Sequence, residues 1–517
     1  MLNPKSVKVR FVASFASNAL RAVLSFATGL ILARGLAPSG YGDLAFLLGS
    51  FVALRSLLDL GTSNAFYTFI SQARRPLEYY TYYFLWLCSQ FILTAVVIFA
   101  IFPDEVVRRV WLGHARHAVL LAFAASFLQQ QVWQTINQVG EAARDTLKVQ
   151  ALNVSLALAY LLGAAALAWS GHISVNAVLG LIIVQYAAFS ALAVFILRRP
   201  YSAPDVSTPV SSAQMFTQYA KYCSPLILLS VIGFAYDFTD KWLLQFFGGS
   251  GQQGFYQVAC QFSTISLLAT TSILNILWKE ISEASKLGDT GRVAALFRKV
   301  SRGLYMTGAV ISGFLIPWST EILGLLLGKA YAPAGMVFSL MLLYPVHQSL
   351  GQVAGTMLLA GEKTKQYLVV SAVFMMVSLP VSYLLQAPAA GYVLPGLGLG
   401  ALGLALKMVV LNIVVVNVML WVLARNNGWK FEWGYQVAGL ALPLGAGYLV
   451  KGAATAFFGG YVAASWAGLL PAFAVSGALY ALLVSGGVWV RPGFIGLTRD
   501  EMRADLLRLA AFLRSSI

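Results

Sequence analysis

Residues 31–61 read ILARGLAPSGYGDLAFLLGSFVALRSLLDLG. The first residues close an apolar run that starts near Phe11. Gly35, Pro38, Ser39 and Gly40 then make a turn, and a second apolar run begins around Tyr41. Each run can span a bilayer as a helix, which takes about 20 residues. Runs of this kind recur through all 517 residues, of which 59% are hydrophobic and 10% charged, with a mean hydropathy of +0.75. A soluble domain of this length carries more charge. A β-barrel would show runs of about 10 residues alternating in polarity, and the sequence has none. The chain therefore reads as an all-α polytopic membrane protein.

The apolar runs place about fourteen spans, at 11–36, 41–70, 79–102, 117–139, 149–169, 175–197, 217–247, 254–278, 302–327, 334–359, 365–386, 396–423, 435–457 and 462–490. The first is too long for the apolar core of a cleaved signal, so it is expected to stay as a span. The glutamine-rich fourth run is the least apolar, and the loop charges test it. With the N-terminus in the cytoplasm, about 25 of the 35 Lys and Arg fall in cytoplasmic loops and termini. About five fall outside (Arg34, Arg108, Arg109, Arg116 and Lys329), and five lie within spans. That bias fits fourteen spans in the cytoplasmic (inner) membrane, with both termini cytoplasmic. The net charge of +16 is thus a topology signal rather than a nucleic-acid footprint. The four histidines have no zinc spacing and the three cysteines no CxxC pair, so neither a metal nor another cofactor is expected.

The loops organise the chain. Residues 201–216, with Pro204 and Pro209, read as a cytoplasmic linker between an N-terminal lobe (1–200, spans 1–6) and a C-terminal lobe (217–424, spans 7–12). Spans 13–14 occupy 425–490, and 491–517 carries a cytoplasmic amphipathic helix. There Thr498 and Glu501 have capping-box spacing. A second surface helix is expected over 279–301. A faint repeat relates LARGLAPSGYGDLAF (32–46) to LQFFGGSGQQGFYQVA (244–259), with Gly42 and Gly254 in register. Six spans separate the copies, so both have one orientation, as in transporters whose repeat axis is along the membrane normal. Prolines enter only the later spans (Pro225, Pro317, Pro345, Pro380, Pro443, Pro471), as static kinks or as bending points at Pro225 and Pro345.

Charges inside the spans are the main functional signal. Each costs about 2.5–3.5 kcal/mol at the centre of a spanning helix. The sequence carries Arg21, Arg55, Asp59, Asp237, Asp240, Lys241, Lys407 and Lys451 there. Arg21 is about 15 Å into its helix, too deep to reach the interface easily. In one reading these are internal pairs, since Arg55 and Asp59, like Asp237 and Lys241, are four residues apart on one helix face. In the other, surplus cations line a cavity, because the sequence offers Arg21, Lys407 and Lys451 no obvious partner in their own helices. An arginine stays charged at any working pH and binds phosphate through two parallel bonds. Gln130, Gln134, Asn137 and Glu141 share a face of the fourth span. They suit sugar hydroxyls in a cavity or hydrogen bonds to neighbouring helices. Asp237, Asp240, Lys241 and Glu321 are candidates for coupling to an ion.

The 31–61 stretch resembles the opening of the O-antigen and polysaccharide flippases, the Wzx-like transporters. The likeness rests on Leu32-Ala33-Arg34, Leu36-Ala37-Pro38, Tyr41-Gly42 and Asp59-Leu60-Gly61, with Ala37 where the family usually has glycine. TDKWLLQFFGGSGQQGFYQVA (239–259) and LLGKAYAPAGMVFSLMLLYPVHQSLGQVAGTMLLAGEKTK (326–365) are similar to later motifs of that family. The resemblance implies two six-helix lobes around a central cavity, two further C-terminal helices, and alternating access. The implied cargo is an undecaprenyl-diphosphate-linked oligosaccharide, an O-antigen or exopolysaccharide repeat unit, flipped across the cytoplasmic membrane. It makes Arg21 and Arg55 diphosphate ligands, as related lipid II flippases carry cavity arginines in their first two helices. Asp59, Gln130, Gln134, Asn137, Lys407 and Lys451 are the further cavity candidates. Partners would be the lipid-linked glycan, membrane lipids and other polysaccharide-assembly proteins. Rival readings are a lipid II flippase, a multidrug exporter with an acidic cavity, a membrane glycan polymerase or ligase, or an assembly scaffold. The outer loop at about 103–116 is short for a polymerase or ligase.

Overall fold

The computed structural model describes residues 7–197, 212–265, 267, 274, 277, 280–284, 286–392, 394–459 and 466–504. The 201–211 part of the expected linker and residues 505–517 of the C-terminal helix lie outside them. The described residues form helices and turns with no strand. In chain order the helices are α1 (Val7–Asp59), α2 (Thr62–Gln72), α3 (Leu77–Val96), α4 (Asp104–Val110), α5 (Arg116–Phe127), α6 (Trp133–Ala142), α7 (Thr146–Trp169), α8 (Val175–Ile196), α9 (Ser212–Cys223) and α10 (Ile227–Ile265). They continue as α11 (Thr290–Leu315), α12 (Ser319–Leu327), α13 (Gly335–Met341), α14 (Tyr344–Ala360), α15 (Thr364–Gln386), α16 (Gly400–Asn427), α17 (Trp433–Phe458) and α18 (Trp466–Val490).

Ten helices among the described residues are long and apolar enough to cross a membrane, or eleven if the pair α11–α12, bent by 72°, is one span. This is a multi-pass membrane protein. Two of the ten each cover two sequence spans, because α1 and α10 run on through a single non-helical residue: Ala37 (φ 55°, ψ 174°) in α1 and Gly249 (φ 74°, ψ 175°) in α10. The fourth span is α5, a π-helical turn at Leu128–Val132, and α6. All fourteen intervals read from the sequence therefore carry helix.

Local chemistry explains where helices break. Pro317 lies in the bend between α11 and α12. Pro225 sits in a 3-10 turn before α10, and Pro345 in the first turn of α14, where its missing N–H has no helical partner anyway. Both start a helix rather than bend one. The expected surface helix at 279–301 is instead two helix ends meeting at a turn, residues 287–289. Asp289 caps α11 by accepting the Arg292 N–H at 2.9 Å. The capping box at the other expected surface helix is present: Glu501 accepts the Thr498 N–H at 2.9 Å, and Thr498 Oγ1 accepts the Glu501 N–H at 3.2 Å.

The chain gathers into two compact units, Met1–Gln257 with Met375–Leu404, and Val258–Phe374 with Ala405–Ile517. Both repeated turns fall in the first unit. Inside the first unit the turn at Ala37 and the turn at Gly249 pack against each other. A Cβ on Gly42 would collide with the Ser250 carbonyl oxygen, and one on Gly254 with that of Pro38. The two contacts are reciprocal in the repeat register, since Pro38 corresponds to Ser250 as Gly42 does to Gly254. Only glycine permits backbones this close. The adjacent Gln252 Oε1 accepts the Ala401 N–H at 3.0 Å, tying in the segment before α16.

In the first unit α1 packs along α7, α5 and α8, and α7 packs on α8. In the second, α11 packs on α14 and α17, and α17 on α18. The second core is built from Tyr305, Val346, Leu350, Val353, Leu358 and Val416, all nearly inaccessible. Gly447 lets α17 close on α11, since a Cβ there would collide with the Gly313 carbonyl oxygen. Apolar side chains also cover outward faces, such as Phe84, Leu93 and Phe99 of the third span, Leu449 of α17 and Leu482 of α18. Faces of this kind need lipid around them.

Candidate functional site

The site is built on α1, at two arginines 34 positions apart in the sequence. Arg21 is half-buried in the first part of α1. Its guanidinium donates to Asn18 Oδ1 at 3.4 Å, and its electrostatic neighbour is the Tyr186 hydroxyl of α8. Arg55, also half-buried, donates from Nη1 to Gln130 Oε1 at 3.4 Å. Neither arginine meets a carboxylate among the described residues. Both contacts are long, and an amide oxygen offers a guanidinium no compensating charge.

The π-helical turn at 128–132 links the two. Its sequence, LQQQV, holds three consecutive glutamines. A π turn inserts one residue into the helical ladder and fans out neighbouring side chains, a device frequent at functional sites. Here Gln129 donates to Tyr186 Oη at 3.2 Å, beside Arg21. Gln130 accepts from Arg55. Gln131 Nε2 reaches Gln90 Oε1 at 3.5 Å, and Gln90 donates to the Leu58 carbonyl at 2.8 Å. Adjacent positions of the bulge thus bond Arg55 directly and the Tyr186 hydroxyl near Arg21. Sequence periodicity missed Gln129, Gln131 and Tyr186, because it assumes an unbroken helix. The run of three glutamines in an apolar span was the available signal.

Asp59 does not pair with Arg55. Its carboxylate accepts the Thr62 hydroxyl at 2.9 Å, the Ser63 N–H at 2.8 Å and the Ser63 hydroxyl at 2.7 Å. It closes the break at Leu60–Gly61, where both residues have positive φ, and caps α2. Of the amide face, Asn137 accepts from Asn153 at 2.9 Å and donates to the Trp133 carbonyl at 3.0 Å, and Glu141 accepts from the Thr146 hydroxyl at 2.7 Å. These bonds hold α6 to itself and to α7. Gln134 is exposed.

The remaining charged candidates lie elsewhere. Lys241 covers Gly49 and donates to the Asp237 carbonyl at 3.3 Å. Asp240, buried, accepts from the Ser382 hydroxyl at 2.5 Å. In the second unit Lys407 is 1% exposed. Lys451 is not a surplus cation: it pairs with Glu321 of α12 at 2.5 Å, donates to the Pro317 carbonyl at 2.7 Å, and lies 5.2 Å from the Trp318 ring. The 72° bend brings Glu321 to it, which no reading of α17 alone could supply.

A further polar cluster joins the repeated turns. Asp43 Oδ1 accepts from Ser250 Oγ at 2.5 Å and Gln245 Nε2 at 3.0 Å, and lies 3.2 Å from His114 Nε2. His114, in the loop between α4 and α5, also faces the Trp111 carbonyl. Burial opposes its charged form, but the Asp43 and Trp111 bonds outweigh it and raise the imidazole above its ordinary range.

Fold and site together define a polytopic helical membrane protein with cations set among amides in its apolar segments. The chain belongs to the polysaccharide biosynthesis protein family, whose model matches residues 10–277, just over half of its length. No curated protein sequence matches it. Among solved structures it is similar to lipid II flippase MurJ in an inward closed conformation, at 13% identity with a TM-score of 0.65, covering 93% of this chain and 98% of that one. A MOP superfamily transporter from Pyrococcus furiosus (13% identity, TM-score 0.54) and an outward-facing multidrug resistance MATE family transporter (14% identity, TM-score 0.54) each cover 82% of this chain and 96% of their own. At such identities these likenesses concern the fold.

Proposed function

We propose that the chain is a flippase for an undecaprenyl-diphosphate-linked oligosaccharide, an O-antigen or exopolysaccharide repeat unit, crossing the cytoplasmic membrane by alternating access. The observation that carries this is the pair Arg21 and Arg55, inside apolar helices, without a carboxylate, and joined through one π turn. A cation placed there at a cost of several kcal/mol needs a compensating anion. A diphosphate offers two phosphates for two guanidinium forks. The exposed Gln134, just after the π turn, and the glutamines of that turn supply amides for sugar hydroxyls. Membership of the polysaccharide biosynthesis family and a fold shared with a lipid II flippase support the same cargo class.

The lobes 1–200 and 217–424 are the moving parts in this reading. With both termini on the cytoplasmic side in this reading, the packed Ala37 and Gly249 turns belong to the outer side. Transport rests on binding and release, with no bond made or broken, so no catalytic residue is assigned. Asp59 drops out as a holder of Arg55 and as the free acid that a drug exporter would use, since three donors from α2 occupy it. Asp237, Asp240 and Lys241 remain the coupling candidates, whereas Glu321 is engaged by Lys451.

The test is gentle extraction from the native membrane followed by native mass spectrometry. The expected result is a bound polyprenyl-diphosphate glycan, lost in Arg21→Ala/Arg55→Ala along with flipping in reconstituted vesicles. Unchanged flipping by a normally expressed double variant would overturn the assignment.

A further inference from the structure

The second unit holds a cavity of about 370 Å³ between the start of α11 and the turn joining α16 to α17. Its apolar side is Phe297 stacked on Trp429, with ring centroids 5.1 Å apart. Its polar side carries three cations with different fates. Arg302 is engaged, pairing with Glu432 at 2.8 Å and lying 4.6 Å from the Tyr435 ring. Arg298 and Lys430 are exposed, and among the described residues neither meets a carboxylate. Glu432, the one acid in the lining, is already neutralised by Arg302. The cavity therefore presents two uncompensated positive charges.

A second observation points to a ligand. Ser301 lines the cavity, is 6% exposed, and its hydroxyl makes no hydrogen bond. A helical serine commonly returns its hydroxyl to a carbonyl one turn back. A buried hydroxyl left alone costs about 1–3 kcal/mol, so an acceptor delivered by a ligand would be favoured.

A second space lies beside the basic cavity. An adjoining groove of about 330 Å³ runs along α16, lined by Ile413, Val414, Val418, Trp421, Phe431 and Trp433. Phe431 lines both spaces. A basic, hydroxyl-bearing chamber thus lies beside a mainly apolar groove along a membrane helix, with Phe431 between them. Trp421 and Trp433 flank that groove, and tryptophan is the residue type enriched at bilayer interfaces.

We propose that this is a binding site for an anionic membrane phospholipid. Its phosphate sits between Arg298 and Lys430 and accepts the Ser301 hydroxyl, and one acyl chain lies in the groove past Phe431. Charge complementarity selects an anionic headgroup, and the groove selects a molecule with a tail. On the topology read from the loop charges, the lipid belongs to the cytoplasmic leaflet. The site involves neither Arg21 nor Arg55, so it stands or falls apart from the cargo.

The experiment is native mass spectrometry of the full-length protein in detergent, titrated with four probes. They are phosphatidylglycerol, phosphatidylcholine with the same chains, glycerol 1-phosphate, and a polyprenyl phosphate. The expected order is phosphatidylglycerol well above phosphatidylcholine, with no retained glycerol phosphate. Two rim cations, each contributing near a membrane surface, make Arg298→Ala/Lys430→Ala weaken phosphatidylglycerol binding about thirty-fold. Val414→Trp, which fills the groove and keeps both charges, weakens it as well, whereas Arg298→Lys/Lys430→Arg retains it. Thermal unfolding midpoints confirm that each variant is folded. Equal binding of the two phospholipids, full binding by the double alanine variant, or retention of glycerol phosphate overturns the proposal. So does a preference for the polyprenyl phosphate that the same variants abolish.

Discussion

Helices α1 and α17 each place a basic side chain in an apolar segment, and they treat it differently. Lys451 of α17 is fully answered: a carboxylate, a carbonyl and an indole ring surround its ammonium group. Arg21 and Arg55 of α1 are answered only by amides and a phenol. The first arrangement is a structural pair that holds α12 to α17. The second leaves positive charge without a carboxylate among the described residues. His114 is a third kind, a cation only while protonated, set against Asp43 where the two repeated turns meet. Sequence position alone ranks Lys451 and Arg21 together, and their surroundings separate them.

The largest effect is expected from breaking the answered pair. Lys451→Ala leaves Glu321 without a partner and should cost about 3 kcal/mol. Lys451→Met with Glu321→Leu should recover most of that, measured as thermal unfolding midpoints in detergent. If the single and double variants unfold alike, the pair is not structural and the contrast with α1 fails.

Next comes the conditional cation. The raised imidazole of His114 gives a stabilisation that is full below its ordinary value of 6.5 and is lost as pH rises through the higher value it has in the folded chain. The unfolding midpoint should therefore fall between mildly acidic and mildly alkaline pH. In His114→Gln that slope should flatten, while Asp43→Asn should lower stability mainly on the acidic side. A slope unchanged in both variants would show that other groups set it.

A smaller and opposite effect is expected at the first repeated turn. Ala37 holds a left-handed φ of 55°, whereas its counterpart in the second turn is Gly249. Ala37→Gly removes backbone strain and should stabilise the chain by about 1 kcal/mol, read as a higher midpoint. A loss of stability would mean that the methyl group contributes packing greater than its strain.

The smallest change in stability belongs to the unanswered cations. Arg55→Gln or Gln130→Leu removes one long hydrogen bond and should shift stability by less than about 1 kcal/mol. Cargo binding should be lost in the first and weakened in the second. A destabilisation as large as that of Lys451→Ala would make Arg55 structural and remove the basis of the proposed site.

Much of this was legible in one dimension. Hydrophobic run length placed fourteen helical intervals, since a bilayer imposes a length on every span. The register of Gly42 with Gly254 anticipated two turns of the same shape, because close backbone approach leaves glycine as its trace. Arg21 and Arg55 stood out because charge is rare in such helices. The partners were not legible. Asp59 sits one turn from Arg55, but it bonds to the start of the next helix. Lys451 finds Glu321 only through a 72° bend, and the glutamines of the fourth span are redistributed by one inserted residue. The sequence by itself determined where the apolar helical intervals fall and which of them carry charge, because solvation by lipid acts on each segment separately. Tertiary structure decided which charges are neutralised and which stay open, because pairing depends on hydrogen-bond distances, about 3 Å, between helices. Kinks, bulges and backbone contacts set those distances, and none of them is written in the period of a single helix.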